Sequence, residues 1–200
     1  GQVPEYTCMV TEWVKEVSAL PVIVKLTPNV TNIVPPGRAA QKGGADAVSL
    51  INTINSIMGV DLETMVPHPN VGGMAAHGGY CGTAVKPIAL NMVSELARDS
   101  EFNIPISGIG GTNTWRDAVE FLLLGAGTVQ VCTAVMHYGY RIVEDMIDGL
   151  NNYLDEKGFT SVNEIVGKSV GRVTDWGNLD LNYTVVARVN NEHCIRCNLC

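Results

Sequence analysis

Apolar residues recur along the chain in two rhythms. Residues 4–18 carry Tyr6, Met9, Val10, Trp13, Val14 and Val17 at helical spacing, which predicts one helix with a single apolar stripe. Residues 21–27, PVIVKLT, form a continuous β-branched run, the pattern of a buried strand in a parallel sheet. Thr27-Pro28-Asn29 ends that run. A second helix is expected from near Pro36 to Gly43-Gly44, since proline suits a first helical turn and glycine a helix end. Residues 47–52, AVSLIN, read as the next strand, followed by Thr53-Ile54-Asn55-Ser56. From 57 to 82 no period holds. Pro67, Pro69, Gly72, Gly73, Gly78 and Gly79 mark a long loop with room for a small hairpin, and long loops in compact domains are usually functional. Pro87 then opens a helix whose buried face is Ala89, Met92, Val93, Leu96 and Ala97.

Residues 104–134, IPISGIGGTNTWRDAVEFLLLGAGTVQVCTA, organise the rest. Two β-rich runs, 105–110 and 128–133, flank one amphipathic helix, making a βαβ unit. Thr114-Trp115-Arg116-Asp117 matches a capping box, with Trp115, Ala118, Val119 and Leu122 as the buried face. The first run ends in Gly108-Ile109-Gly110-Gly111 and the second in Gln130-Val131-Cys132-Thr133-Ala134. Two successive strand ends can turn backbone N–H groups toward one point, and glycines let an anion approach closely. In a (β/α)8 barrel the loops after strands 7 and 8 form the common phosphate site, and this stretch reads as that site. A longer helix is expected over 138–156, with Ile142, Val143, Met146, Ile147, Leu150 and Leu154 as its stripe. Residues 161–166 suggest a short helix, and 180–189 an extended segment leading into cysteines. Strand, loop and helix thus recur four times without a sequence repeat, which predicts four units of a parallel α/β fold, half of an eight-stranded barrel.

Composition narrows the function classes. The 200 residues are 46% hydrophobic and 16% charged, which is globular composition. A net charge of -7, with Lys and Arg scattered singly, leaves no basic footprint for nucleic acid. No apolar run reaches the ~18 residues of a membrane helix. GQVPEY has neither the basic nor the apolar region of a signal peptide. The chain opens inside a helical pattern and stops within a cysteine cluster, so a piece of a longer protein is expected. Cys8, Cys81 and Cys132 are isolated, whereas Cys194, Cys197 and Cys200 form Cys-x-x-Cys-x-x-Cys. That spacing suits a metal or cluster better than a disulfide framework, and it points to a reducing, cytoplasmic setting.

The remaining chemistry is local. Lys25 closes an apolar strand, either as a cation set against an anionic ligand or cofactor ring, or as an end-of-strand lysine snorkelling to water. Asn52 and Thr53 begin an uncharged polar cluster at another strand end. Their amide and hydroxyl suit a neutral imide-bearing heterocycle, while turn chemistry, which Asn and Ser favour anyway, is the simpler account of the residues taken alone. His77-Gly78-Gly79-Tyr80-Cys81-Gly82 is glycine-rich and precedes a helix, either lying over a cofactor or acting as a flexible loop. Cys81 and Cys132 have no His or acid at a diagnostic spacing, and small-residue packing suits both. Neither a Walker A nor a Rossmann glycine motif occurs. Cys194, Cys197 and Cys200 begin the bacterial iron–sulfur run, in which a fourth cysteine would follow.

Taken together and in order, Val24-Lys25-Leu26-Thr27-Pro28-Asn29, Ile51-Asn52-Thr53, His77-Gly78-Gly79-Tyr80-Cys81-Gly82, Gly108-Ile109-Gly110-Gly111, Gln130-Val131-Cys132-Thr133 and the terminal cysteines resemble the dihydropyrimidine dehydrogenase family. The likeness is closest to the FMN-containing subunit of its bacterial NAD-dependent members and covers nearly the whole chain. It implies the C-terminal half of an FMN-binding (β/α)8 TIM barrel over 1–158, a linker over 159–190, and the start of a ferredoxin-like [4Fe–4S] domain over 191–200. It further implies that Lys25 and Gly82 contact the flavin, that Ile109, Gly110, Gly111, Cys132 and Thr133 cradle the FMN phosphate, and that Asn52 and Thr53 bind the pyrimidine. Cys194, Cys197 and Cys200 would be cluster ligands. The family's general-acid cysteine would precede residue 1. The implied reaction is reduction of the 5,6 double bond of uracil or thymine, with electrons from NADH passing through a partner subunit that carries FAD and iron–sulfur clusters, in a hetero-oligomer. Pro35-Pro36-Gly37 departs from the usual start of its helix. Two alternatives stand beside this reading. A dihydroorotate dehydrogenase is a related FMN barrel that usually lacks the ferredoxin segment. A non-catalytic electron-transfer or scaffold piece would have lost the flavin.

Overall fold

The computed structural model describes residues 1–197. In chain order, helix α1 (Pro4–Val17) leads to strand β1 (Ile23–Lys25), helix α2 (Val34–Lys42) and strand β2 (Ala47–Leu50). Six short strands follow: β3 (Ile54–Ser56), β4 (Gly59–Val60), β5 (Pro67–His68), β6 (Asn70–Val71), β7 (Met74–Ala75) and β8 (Gly78–Tyr80). Helix α3 (Lys86–Ala97), strand β9 (Ile106–Ile109), helix α4 (Trp115–Leu123), strand β10 (Thr128–Gln130), helix α5 (Thr133–Tyr138) and helix α6 (Ile142–Lys157) complete the regular part. No helix among the described residues is long and apolar enough to cross a membrane.

β1, β2, β9 and β10 form one parallel sheet whose spatial order is the chain order. Sequential winding in one direction is how a (β/α) barrel grows, whereas a doubly wound sheet reverses at a switch point. Period-two alternation divides the strands between two environments. Val48, Leu50 and Ile106 turn to the helices and pack with Ala40, Val93, Leu96 and Phe121 in the main core. Lys25, Ser49, Ser107 and Thr128 lie side by side in register on the other face. Gly108 is the close-approach point of this core, since a Cβ there would meet the Phe121 ring at 2.5 Å.

Several elements differ from the sequence expectation, each for a physical reason. α2 begins two residues earlier, at Val34, and takes Pro35 and Pro36 into its first turn, where missing N–H groups cost nothing. The long loop is folded into three two-stranded antiparallel ribbons, β3–β8, β4–β5 and β6–β7, projecting from the end of β2. The helix expected over 138–156 is α6, which starts four residues later, and a separate short helix, α5, precedes it. Gly139, at φ 73°, closes α5 by donating to Val135 O, and α6 starts at Ile142. The apolar stripe of α1 is not its buried face. Tyr6, Val10 and Trp13 are exposed, and Thr7 and Thr11 are buried instead. Gly43, at the end of α2, seats against Cys8 O and Thr11 of α1, so the small side of the helix makes the contact. The expected capping box at Thr114 and Asp117 is present on α4, and a second, Ser161 with Glu164, starts a short 3-10 turn at Val162–Glu164.

Candidate active site

The carboxyl ends of the four parallel strands open into one cleft. Lys25 reaches it from β1, and Asn52 and Thr53 from the end of β2. Ile109, Gly110 and Gly111 reach it from β9, Cys132 and Thr133 from β10, and Gly82 from the turn before α3. Residues spread over more than a hundred positions therefore share one opening, as the rule for parallel α/β sheets requires. The lining also includes Tyr80, Thr112, Asn113 and Gln130. Lys25 is the one charged residue in this lining, and no carboxylate faces it. In a chain of net charge -7 that is a local inversion suited to an anionic or electron-rich ligand. No ion pair engages the Lys25 ammonium among the described residues.

Gly110 and Gly111 take φ 135° and 74°, conformations that residues with a Cβ rarely adopt. A Cβ on Gly111 would also lie 2.8 Å from Gly82 O. Their backbone N–H groups, and that of Thr133, donate to nothing among the described residues. The Thr112 hydroxyl is buried without a partner there. Unpaired backbone donors converging from two strand ends are what an anion such as a phosphate takes up. A flavin mononucleotide fits this donor set. Gly110, Gly111 and Thr133 are the residues that would hold its phosphate.

The cradle is held from behind by an ion-paired cluster. Lys86, in the first turn of α3, lies 2.5 Å from Asp117 and 2.7 Å from Glu120 of α4. Asp117 also accepts from the N–H groups of Asn113 and Thr114 and from the Thr114 hydroxyl. Burial pushes the Asp117 carboxyl up. The bonds from Lys86, Asn113 and Thr114 outweigh that and hold it below the usual carboxylate range. Lys86 is raised in turn by its hydrogen bonds to Asp117 and Glu120.

A family model described as dihydroorotate dehydrogenase matches residues 1–154. The chain belongs to the dihydroorotate dehydrogenase family. Within it, the NAD-dependent dihydropyrimidine dehydrogenase subunit PreA of Escherichia coli K12 is 45% identical over the whole chain and 49% of its own length. The catalytic subunit of dihydroorotate dehydrogenase B (NAD(+)) from Pyrococcus abyssi is 47% identical over 84% of this chain and 54% of its own length. The chloroplastic dihydropyrimidine dehydrogenase (NADP(+)) of Arabidopsis thaliana is 43% identical over 79% of this chain and 38% of its own length. The chain spans about half the length of the first two of these curated relatives.

For a member of the dihydroorotate dehydrogenase family, two groups in the site escape sequence inspection. One is a polar row inside the sheet. Gln130 Nε2 donates to Ser49 Oγ and Ser107 Oγ, each at 2.9 Å, and Thr128 Oγ1 donates to Ser107 Oγ at 2.8 Å. The alternation Val48-Ser49-Leu50 is its sequence signal. The other is the Lys86–Asp117–Glu120 cluster, of which the sequence shows only Asp117, as a capping-box residue. Cys81 and Cys132 both sit at the cleft, where the Thr133 hydroxyl lies 3.5 Å from Cys81 Sγ. Cys194 and Cys197 lie on the irregular C-terminal segment, and Cys200 lies outside the described residues. No group of three or more metal-ligating side chains forms among the described residues.

Proposed function

We propose that this chain is the C-terminal half of an FMN-binding (β/α)8 barrel, at 1–158, and that the complete protein reduces the 5,6 double bond of uracil or thymine. The carrying observation is the cleft itself. An anion cradle (Gly110, Gly111, Thr133), a lone cation (Lys25) and an uncharged amide–hydroxyl pair (Asn52, Thr53) share one opening without a carboxylate. Bound there, FMN would supply the two-electron chemistry for hydride transfer to C6 of the pyrimidine. Lys25 favours negative charge on the bound ring. Asn52 and Thr53 hold the pyrimidine edge in register, which is orientation rather than acid–base work. Gly82, Ile109 and Cys132 complete the flavin contacts. The proton for C5 comes from outside this chain, from the general-acid cysteine that the resemblance places before residue 1.

In the same reading, residues 159–190 link the barrel to a ferredoxin-type domain starting at 191. Cys194, Cys197 and Cys200 supply three thiolates of a [4Fe–4S] cluster there, and the set is completed beyond residue 200. NADH is oxidised on a partner subunit carrying FAD, and the hetero-oligomer works in the reducing cytoplasm. The dihydropyrimidine relative is matched along the entire chain, whereas the dihydroorotate relative is matched over 84% of it. That difference favours the uracil reading. Oxidation of dihydroorotate is the second reading, supported by the near-equal identity of that relative.

The test is anaerobic NADH-dependent turnover by the complete protein with its partner subunit, offered uracil and dihydroorotate separately. Uracil reduction with a flavin spectrum is expected. Turnover of dihydroorotate alone would transfer the site to the second reading. Wild-type flavin content in Gly111→Val would remove the phosphate cradle from the proposal.

A further inference from the structure

Asn29 does not line the cleft, yet its side chain is tied to the segment that does. It follows β1 directly, in Thr27-Pro28-Asn29. Its Nδ2 donates to Thr53 O at 3.1 Å and to Thr27 Oγ1 at 3.0 Å, and its Oδ1 accepts from Asn55 N at 2.9 Å. Its own N–H donates to Thr27 Oγ1 at 3.2 Å. One carboxamide thus bridges a carbonyl and an N–H on either side of Ile54, using donor and acceptor together. Within the bridged segment, Thr53 N donates to Asn52 Oδ1 at 2.8 Å. That bond engages the oxygen of Asn52, and its NH2 has no partner among the described residues. Gly79, paired with Asn55 across the β3–β8 ribbon, completes the arrangement. A Cβ there would collide with the Thr53 hydroxyl.

We propose that Asn29 is a positioning residue of the pyrimidine site. By clamping Thr53 O and Asn55 N, it fixes the turn that aims the NH2 of Asn52 and the hydroxyl of Thr53 at a ring carbonyl of the substrate. The proposal rests on the assignment of Asn52 and Thr53 to the substrate. The clamp ties the segment after β1 to the one leaving β2 and touches neither Gly110, Gly111 nor Thr133, so its loss acts on pyrimidine binding and not on the phosphate cradle. The bridged groups are exposed enough to turn to water when the clamp is lost, so the fold survives the change.

The experiment is calorimetric titration of the oxidised, FMN-loaded complete protein with uracil, comparing wild type with Asn29→Ala, Asn29→Asp and Asn52→Ala. Asn29→Asp keeps the shape and the acceptor for Asn55 N but replaces the donor facing Thr53 O with an oxygen. About tenfold weaker uracil binding is expected in both Asn29 variants, since small misplacements of a positioned group are costly. Flavin content and visible spectrum should stay at wild-type values, with Tm within about 2 °C. Uracil affinity within about twofold of wild type in both variants would overturn the positioning role, provided Asn52→Ala is weakened. Unchanged affinity in Asn52→Ala as well would overturn the substrate assignment and the proposal with it. Flavin loss or a large fall in Tm in both Asn29 variants would make the residue merely structural and would equally overturn it.

Discussion

Asp117 joins two functions that the sequence shows only one of. As the fourth residue of the Thr114 capping box it was legible, because the spacing of a cap is local. Its bond to Lys86, 31 positions away, was not, since it depends on α3 and α4 lying side by side. The pair carries a pH signature. The Asp117 carboxyl is held low in the folded protein, so its contribution is full above the unfolded value near ~3.9 and is lost as pH falls through the folded one. Lys86 is held high, so its contribution is full below ~10.4 and is lost as pH rises through its folded value. Asp117→Asn should cost about 3 kcal/mol near neutrality, because it leaves a half-buried ammonium short of a partner. The gap to wild type should narrow below about pH 4, as measured by urea denaturation of the complete protein across pH. A gap that stays constant down to the acid unfolding limit would contradict the ion-pair account. The same limit on local reading explains the cleft. Glycines and a strand-end lysine advertise themselves by residue type. Ser49, Ser107 and Gln130 become a polar row only once the sheet register is known.

Among the elements, periodicity identified the helices well and their surroundings poorly. The repeat on α1 told which face is apolar but not that the face would lie uncovered in this chain, with Tyr6 62% exposed. The ribbons of the 54–80 segment were illegible because strands of two or three residues are too short to display a period. α5 was missed, and Gly139, at positive φ, separates it from α6 and sets the later start of that helix. α6 makes a contact that can be tested. Gly149 is buried against the Trp115 indole of α4, and a Cβ there would overlap that ring. Trp115 is the first residue of α4, directly after the Thr114 cap that ends the cradle loop. Gly149→Val should therefore destabilise by about 1–3 kcal/mol through overpacking. It should also loosen the flavin, because the displaced indole shifts the start of α4. Thermal denaturation and retained flavin after dialysis read the two effects. A variant with wild-type Tm would show that α6 can move aside and would remove the link to the cradle.

For the molecule as a whole, the sheet ends on two uncovered sides. β1 is an edge strand with Ile23 55% exposed, and with Tyr6, Val10 and Val14 it lines an apolar groove. At the other end β10 is the edge strand, and α6 exposes Val143 and Ile147. A complete barrel has no free edges, since strand pairing closes on itself. If the proposed preceding units cover these sides, one substitution should act with opposite signs in two contexts. Val10→Lys should raise the solubility of the isolated 200-residue chain, because it breaks an exposed apolar groove. In the complete protein the same lysine would be buried against apolar neighbours and should cost about 3 kcal/mol or more. Sedimentation of the isolated chain and thermal denaturation of the complete protein measure the two arms. The wild-type isolated chain is expected to associate through its open edges. A soluble, cooperatively unfolding monomer would contradict the open-edge account. A neutral Val10→Lys in the complete protein would mean that the α1 face is an outer surface, and that the barrel closes elsewhere.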